Sequence, residues 1–532
     1  MAEDYSNNKQ RKFHEKEAFV TGHDGTTPHE ILLLCLIVPV GLHLYCRLVS
    51  WLDALRHHGH RRAGRHSSGS LDGTAIEFAS MLVPMLLVQT SLLPNLAGPV
   101  VLMAGMLAFA SCLPRQAKRT VQGLQQSTQE KSCDQEQQMN MDRPLFLSIH
   151  RGSVYLLTTI AILAVDFPIF PRRFCKTETV GYGWMDLGAA SFIIIAGWTS
   201  ASTSTSKYSS LSSIRKLLKK CTPLLFLGLI RLATNKGLEY QEHVSEYGVH
   251  WNFFFTLCFV EGFMVFWKGF KSQFSPDALG KGRQERRGLV VDLPLDFLFA
   301  LGLMIPYQMY LTIGGGQDFI ENGERRCHGG TPYPWLCGAF VANREGILGV
   351  FGYLSLRLIS EDVARYCLWP HSTILRTIQS KKDDNMTETA LHNTLSTFRQ
   401  RRMSIMVVLL WTIHFALVYR MEIPTSRRST NVSFILWALA HNLTILLCIH
   451  SVIIRSAFSE FGSDISTRFT PKLLHAANKF GLAVFLTSNI MTGLVNLSVD
   501  TLHSSDAEAL VVLSIYLTLV CGGAFLLATA SK

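Results

Sequence analysis

Long apolar runs recur along the whole chain, and shorter polar segments separate them. Most runs are long enough to cross the hydrocarbon core of a bilayer as a helix, which takes about 20 residues. The pattern therefore predicts an all-α fold, a polytopic transmembrane helical bundle. We predict about thirteen spans, near residues 31–55, 74–92, 97–113, 147–165, 182–200, 217–234, 250–267, 293–313, 345–360, 403–420, 431–453, 476–497 and 508–530.

The composition supports this class of protein. Of the 532 residues, 48% are hydrophobic and only 17% are charged, whereas about 25% of the residues of a soluble protein are charged. No cleavable signal peptide is expected before the first apolar run. We predict an N-terminal segment over 1–30 and a single multispan domain over 31–530, with polar linkers near 114–143 and 361–402.

The distribution of positive charge predicts the orientation of the bundle. Alternate loops, together with the C-terminus, hold more than twice as many Lys and Arg residues as the N-terminus and the remaining loops. Because Lys and Arg collect on the cytoplasmic side of a membrane, the N-terminus is predicted to be lumenal and the C-terminus cytosolic. The net charge of +11 thus follows topology and does not indicate a nucleic-acid partner.

One polar stretch, residues 231–256, interrupts the apolar pattern between two predicted spans. Its polar side chains recur at helical spacing, which predicts that they share one helix face beside Glu246. Polar groups at membrane depth usually face a cavity and mark a substrate path. The residues on this face are Lys236, Tyr240, His243, Tyr247 and His250.

A second polar group follows the fourth predicted span. Asp166 ends this span, and Arg172, Arg173 and Lys176 lie in the short lumenal loop after it. A helix-end ion pair between Asp166 and Arg172 would also explain a carboxylate there. A shared site would instead suit an anionic substrate that carries a hydroxyl group, because cations match phosphate and a carboxylate can accept a proton.

Cysteine usage predicts no metal site. The twelve cysteines contain no CxxC pair, so a zinc site or a disulfide framework is not indicated. Cys327 and Cys337 could form a disulfide in an oxidising lumen or remain reduced.

Five stretches resemble the inositol acyltransferases of GPI-anchor biosynthesis, the GPI-anchored wall transfer protein family. They are KEAFVTGHDGTTPHEI (16–31), ILAVDFPIFPRRFCKTETVGYGWMDLG (162–188), RLATNKGLEYQEHVSEYGVHWNFFFTL (231–257), NREGILGVFGY (343–353) and RRSTNVSFILWALAHN (427–442). The resemblance implies a thirteen-span enzyme of the endoplasmic reticulum membrane. It would transfer palmitoyl from palmitoyl-CoA, an acyl-CoA donor substrate, to the inositol 2-hydroxyl of glucosaminyl-phosphatidylinositol, without a cofactor.

The resemblance also implies catalytic positions at Asp166 and Lys176, which match an aspartate and a lysine of the family motifs. We predict that Asp166 accepts or orients the hydroxyl proton, and that Lys176 pairs with Asp166 and stabilises the oxyanion. His243, His250 and Glu246 are alternative candidates for the base. The further candidates for substrate binding are His243, His250, Glu246, Tyr240, Lys236, Arg231, Arg172, Arg173, Asn252 and Arg344. The alternatives are a lipid or solute transporter with a polar intramembrane cavity, and a non-enzymatic scaffold for GPI assembly.

Overall fold

A computed structural model shows a chain whose regular elements are helices throughout its described part. The structure describes Glu15, Ala18, Phe19 and residues 21–59, 71–93, 95–114, 144–201, 210–238, 244–273, 295–327, 333–369, 388–460 and 470–531. The predicted all-α fold is confirmed.

The described residues of the first half of the chain form ten α-helices. They are α1 (Pro28–Cys35), α2 (Ile37–Gly59), α3 (Leu71–Glu77), α4 (Val83–Leu87), α5 (Ala97–Cys112), α6 (Leu145–Ala164), α7 (Leu187–Ser200), α8 (Ser210–Leu238), α9 (Val244–Tyr247) and α10 (Phe253–Gln273). A π-helical turn (Phe78–Leu82) joins α3 to α4, and two 3-10 turns, Arg172–Phe174 and Trp184–Asp186, lie between α6 and α7.

The second half continues the same architecture. Its helices are α11 (Leu295–Thr312), α12 (Gly316–Asn322), α13 (Pro334–Ala342), α14 (Arg344–Cys367), α15 (Glu388–Arg420), α16 (Val432–Glu460), α17 (Lys472–Lys479), α18 (Gly481–Ser498) and α19 (Asp506–Ala530). A 3-10 turn (Thr501–His503) precedes α19.

Eight helical stretches within the described residues are long and apolar enough to cross a membrane. They are Pro28–Leu55, Leu145–Ala164, Phe253–Lys271, Leu295–Thr312, Thr394–Arg420, Val432–Ser456, Gly481–Ser498 and Asp506–Ala530. The other five predicted spans also coincide with helices, but these are either short or carry many charges. The chain is therefore a multi-pass membrane protein.

Helix α16 forms the centre of the bundle, and α15 lies at its edge. In the most apolar 18 residues of each helix, 83% of the residues of α16 are buried, compared with only 17% of those of α15. Helix α16 packs against α2, α6, α7, α14 and α15. An apolar helix that is exposed in this way is suited to face lipid.

One sequence prediction about local structure is wrong. The polar face of 231–256 does not lie on one helix, because α8 ends at Leu238 and Gly248, with φ of 109°, interrupts the chain before α10. Both ends of the predicted linker 361–402 are helical, in α14 and α15. Residues 115–143, most of the other predicted linker, lie outside the described part of the chain.

Candidate functional site

Five loop segments that are distant in sequence meet at one end of the bundle. We call them the loop cluster: residues 21–27, 165–186, 244–252, 342–345 and 421–431. Each overlaps or adjoins one of the five stretches that carry the family resemblance. The convergence inferred from the sequence is therefore present in the fold.

The N-terminal segment packs directly on the loop that follows α6. The amide of Thr26 donates to the carbonyl of Tyr182 at 2.7 Å, and the amide of Glu178 donates to the carbonyl of His23 at 3.3 Å. Gly181 has φ of 130°, and a Cβ atom there would lie 2.2 Å from the carbonyl oxygen of Asp24. Glycine is required at this contact because no other residue leaves enough space for the second backbone.

Backbone hydrogen bonds attach the remaining segments to this core. The amide of Gly181 donates to the carbonyl of Thr425 at 2.8 Å. The amide of Val249 donates to the carbonyl of Ala342 at 2.9 Å, and that of His250 donates to Oδ1 of Asn343 at 2.7 Å. Because these bonds satisfy backbone groups between loops, the cluster is a fixed scaffold for its side chains.

Lys176 and Glu246 form an ion pair in the loop cluster. Lys176 follows the 3-10 turn Arg172–Phe174, and Glu246 lies on α9. The Lys176 side chain is 36% exposed and that of Glu246 is 13% exposed. The ammonium group is thus held by a carboxylate and still accessible. Lys176 pairs with Glu246 and not, as predicted, with Asp166.

A buried ion pair lies beside Lys176 and Glu246. Nε of Arg427 is 2.8 Å from Oδ1 of Asp186, and both side chains are buried. Burial raises the pKa of Asp186, while Arg427 and hydrogen bonds from Thr177 lower it. Burial lowers the pKa of the Arg427 guanidinium, but Asp186 and Glu246 outweigh this effect and hold it above its ordinary value. Arg427 is therefore a permanent cation next to Glu246.

Tyr247, a partly buried residue, supplies a hydroxyl group near this cation. Burial raises the pKa of Tyr247 well above its ordinary value, and the neighbouring Tyr353 raises it further. Tyr247 therefore keeps its phenolic proton at any physiological pH. Its hydroxyl group can act as a hydrogen-bond donor but not as a base.

Asp166 lies just after the C-terminus of α6 and contacts the end of α18. Its Oδ2 accepts a hydrogen bond from Nδ2 of Asn496 at 2.8 Å. Asn496 in turn accepts from the hydroxyl of Thr501 at 3.2 Å. Asn496 thus orients the carboxylate through a hydrogen bond from a neutral amide group.

Three of the predicted cations hold the scaffold together. Arg172 donates to the carbonyls of Phe170, Val165 and Phe167 at 3.0, 2.9 and 2.9 Å. Arg173 pairs with Glu30 at 3.1 Å. The buried Arg344 donates to the carbonyls of Ile320 and Glu324 at 3.1 and 3.2 Å. Their guanidinium groups are thus engaged with the protein itself.

Among the other candidates, Asn252 caps a helix. Its Oδ1 accepts from the amides of Phe254 and Phe255 at 3.0 and 3.3 Å, and its Nδ2 donates to the carbonyl of Gly228 at 3.0 Å. Asn252 thereby begins α10 and attaches it to α8.

The remaining candidates contribute less to the described site. His250 contributes its backbone amide to the contact with Asn343. Arg231 is an exposed residue of α8. Lys236 belongs to α8, but its side chain lies outside the described part of the structure, as do Tyr240 and His243.

The cysteine pairing left open by the sequence is resolved by the structure. Cys327 and Cys337 form a disulfide with a Cα–Cα distance of 6.1 Å, which settles the alternatives left open by the sequence. Within the described residues, no group of three or more His, Cys, Asp or Glu side chains could hold a metal ion.

A second charged cluster lies at the opposite end of the bundle, between the later parts of α10 and α14 and the start of α11. We call it the charged network: Glu261, Lys268, Lys271, Asp296, Arg357, Glu361 and Arg365. Glu361 contacts Lys268 and Arg357, each at 2.9 Å, and also Arg365. Asp296 contacts Lys271 at 2.6 Å and also Arg365. Each of these buried carboxylates therefore has two or more cationic partners.

Sequence reasoning did not single out Asp186 and Arg427. Both lie inside stretches that carry the family resemblance, Asp186 in GYGWMDLG and Arg427 at the start of RRSTNVSF. The sequence offered one signal for these two residues: a carboxylate at the start of one apolar run and an arginine before another. Topology alone could not pair them.

The chain resembles known proteins over nearly its whole length. The model of the GWT1 family matches residues 12–527. GPI-anchored wall transfer protein 1 of Yarrowia lipolytica is 32% identical over 515 residues, which cover 95% of this chain and 96% of that protein. The protein of the same name from Aspergillus oryzae is 30% identical over 542 residues, 97% of each chain. That of Saccharomyces cerevisiae is 29% identical over 519 residues, 95% of each chain.

Proposed function

The chain belongs to the GWT1 family, and on that premise we propose that it is a membrane O-acyltransferase of GPI-anchor biosynthesis. Its donor is an acyl-CoA, typically palmitoyl-CoA. Its acceptor is the inositol 2-hydroxyl of glucosaminyl-phosphatidylinositol, and it requires no metal or other cofactor.

The observation that carries this proposal is the convergence in the loop cluster. Asp166 and Lys176 belong to one loop, and the cluster surrounds Lys176 with Glu246 and the Arg427–Asp186 pair. A carboxylate and an accessible ammonium group at one end of a membrane bundle suit proton transfer from a lipid hydroxyl group. Charged groups of this kind in a membrane protein usually serve its function.

In the proposed reaction, the Asp166 carboxylate accepts the proton of the inositol hydroxyl group as its oxygen attacks the thioester carbonyl carbon. The Lys176 ammonium group stabilises the resulting oxyanion. Collapse of this intermediate breaks the carbon–sulfur bond and forms the ester. The CoA thiolate leaves and takes up the proton from Asp166, so that no net proton is released.

Glu246 and Arg427 act as positioning residues in this scheme. Glu246 fixes the Lys176 side chain, which has many rotamers and would otherwise lose conformational entropy on binding the transition state. Arg427, itself held by Asp186, places a fixed positive charge next to Glu246. This charge attracts the Glu246 carboxylate and helps to hold it in place beside Lys176.

We place the loop cluster on the lumenal side of the endoplasmic reticulum membrane, in a thirteen-span bundle with a lumenal N-terminus and a cytosolic C-terminus. The meeting of loops 166–181, 235–249, 314–344 and 421–430 at one end supports this assignment, because the charge distribution assigns all of them to one side. The disulfide between Cys327 and Cys337 belongs to the same end, and disulfides persist in an oxidising compartment.

The proposal is tested with purified protein in lipid nanodiscs, labelled palmitoyl-CoA and glucosaminyl-phosphatidylinositol. The wild type is expected to form an acylated lipid whose label is lost on base hydrolysis. Asp166→Asn keeps the side-chain shape and its contact with Asn496, and we expect it to lower turnover by about 10²- to 10⁴-fold, the usual contribution of a general base.

The control for this experiment is Asn496→Asp, which keeps the size of the side chain but replaces the donor to Asp166 with a second carboxylate. It should shift the pH dependence of turnover to higher pH, because a like charge raises the pKa of Asp166. Full turnover by Asp166→Asn would exclude Asp166 as the base. Movement of the lipid between leaflets without acylation would support the transporter alternative.

A further inference from the structure

We propose that α13 (Pro334–Ala342) is an interfacial helix, embedded in the headgroup and upper acyl region of the leaflet beside the loop cluster. Its partner is the lipid surface itself. The proposal rests on the membrane bundle and not on the acyltransferase reaction.

The position of α13 in the chain places it at a membrane surface. Helix α11 is one of the helices that can span the membrane. Its exposed residues Ile305 and Met309, together with Ile313 directly after it, mark a lipid-facing side that continues to the end of the helix. The chain then forms α12 and α13 before α14 begins at Arg344. With nine residues, α13 is about 14 Å long, too short to cross a hydrocarbon core of about 30 Å.

Several contacts fix the inner side of α13. Cys337 is bonded to Cys327, and the ring of Phe340 stacks on Phe319 with centroids 6.2 Å apart. Nδ2 of Asn343 donates to the carbonyl of Ala339 at 2.8 Å, and Arg325 donates to that of Ala342 at 3.2 Å. The helix therefore has a defined orientation relative to the loop cluster.

The outer side of α13 is apolar and exposed. Trp335 and Leu336 are 74% and 54% exposed, and Tyr333, directly before the helix, is 63% exposed. The helix sequence PWLCGAFVA contains no charged residue. Trp and Tyr concentrate at membrane–water interfaces, where an apolar ring and a polar N–H or O–H group are both accommodated. In water this surface would be an uncovered apolar patch; in the interface it is solvated by lipid.

The fluorescence of Trp335 tests this placement. The chain has nine tryptophans, all within the described residues, and Trp335 alone among them is exposed. The full chain and its Trp335→Phe variant are placed in nanodiscs of phosphatidylcholine brominated at acyl positions 6,7 or 11,12, or not brominated. The difference between the two proteins isolates the emission of Trp335.

We expect this difference signal to be quenched about twofold more by the 6,7-brominated lipid than by the 11,12-brominated lipid, and little by aqueous acrylamide. The matched control is Trp198→Phe, whose difference signal should respond to none of these quenchers because Trp198 is fully buried. Quenching of Trp335 by acrylamide alone would place α13 in water. Protection from all quenchers would mean that a protein segment or a second copy covers it. Either result would overturn the proposal.

Discussion

Two lysine–glutamate pairs occupy opposite ends of the bundle and differ in what surrounds them. Lys176 pairs with Glu246 in the loop cluster, and Lys220 pairs with Glu261 of the charged network. The lysine side chains are 36% and 49% exposed, and the glutamates 13% and 15%. By exposure and by contact the two pairs are alike.

Their surroundings separate them. Glu261 also contacts the buried Arg357 at 3.1 Å, and Arg357 extends the network to Glu361. Charge at that end is neutralised by other side chains, so that the network joins α10, α11 and α14. The Lys176 pair lies instead in the loop that holds Asp166 and among the segments that carry the family resemblance. An ion pair alone therefore does not indicate a functional site; the groups that surround it do.

The sharpest test of this comparison is Lys176→Ala. Loss of a preformed cation next to the developing oxyanion is expected to lower turnover by about 10²- to 10³-fold. The free energy of unfolding should change by less than about 1 kcal/mol, because an ion pair whose cation is accessible to solvent contributes little to stability. Turnover in the nanodisc assay and thermal unfolding of the same preparation measure both effects.

Glu246→Gln distinguishes catalysis by Lys176 from a merely structural role. If Glu246 only positions the lysine, this variant should lose less activity than Lys176→Ala and should bind the donor normally. Equal losses in both variants would indicate that the ion pair acts as a unit. Full activity in both would remove Lys176 from the mechanism.

The charged network is expected to contribute to stability and not to turnover. Glu361→Gln leaves Arg357, Lys268 and Arg365 without their shared carboxylate, and removing one partner of a buried ion pair typically costs about 3–5 kcal/mol. We expect a comparable loss of stability in a detergent unfolding titration. Turnover per folded molecule should remain within about twofold of the wild type, because Glu361 lies at the other end of the bundle. A stable but inactive variant would instead connect the network to the reaction.

The smallest effect is expected for Lys220→Ala, the matched counterpart of Lys176→Ala. Loss of this exposed pair should change the free energy of unfolding by less than about 1 kcal/mol and leave turnover unchanged. Thermal unfolding and the nanodisc assay, run beside Lys176→Ala, measure both. If Lys220→Ala lost as much activity as Lys176→Ala, the two ion pairs would not differ in their contribution to turnover, and the prediction would be wrong.

The helices were largely predictable, and the site was predictable only in part. The run predicted at 147–165 is the helix Leu145–Ala164, because an apolar segment of that length needs internal backbone hydrogen bonds in a membrane. The single helix predicted through residues 231–256 is interrupted at Gly248. There the backbone packs against Asn343, and a Cβ atom on residue 248 would lie 2.5 Å from the Cα of Asn343. The periodicity of polar residues predicts a helix face from sequence spacing alone. It cannot predict a tertiary contact that requires a glycine.

The sequence by itself determined the fold class, the positions of the apolar helices and the segments in which charged groups gather. Only the tertiary structure decided their partners: Lys176 with Glu246, Asp166 with Asn496, and Arg427 with Asp186. The physical reason is one of range. Burial of apolar helices depends on each run separately, whereas an ion pair depends on a distance of about 3 Å between groups that many helices, packed together, bring into contact.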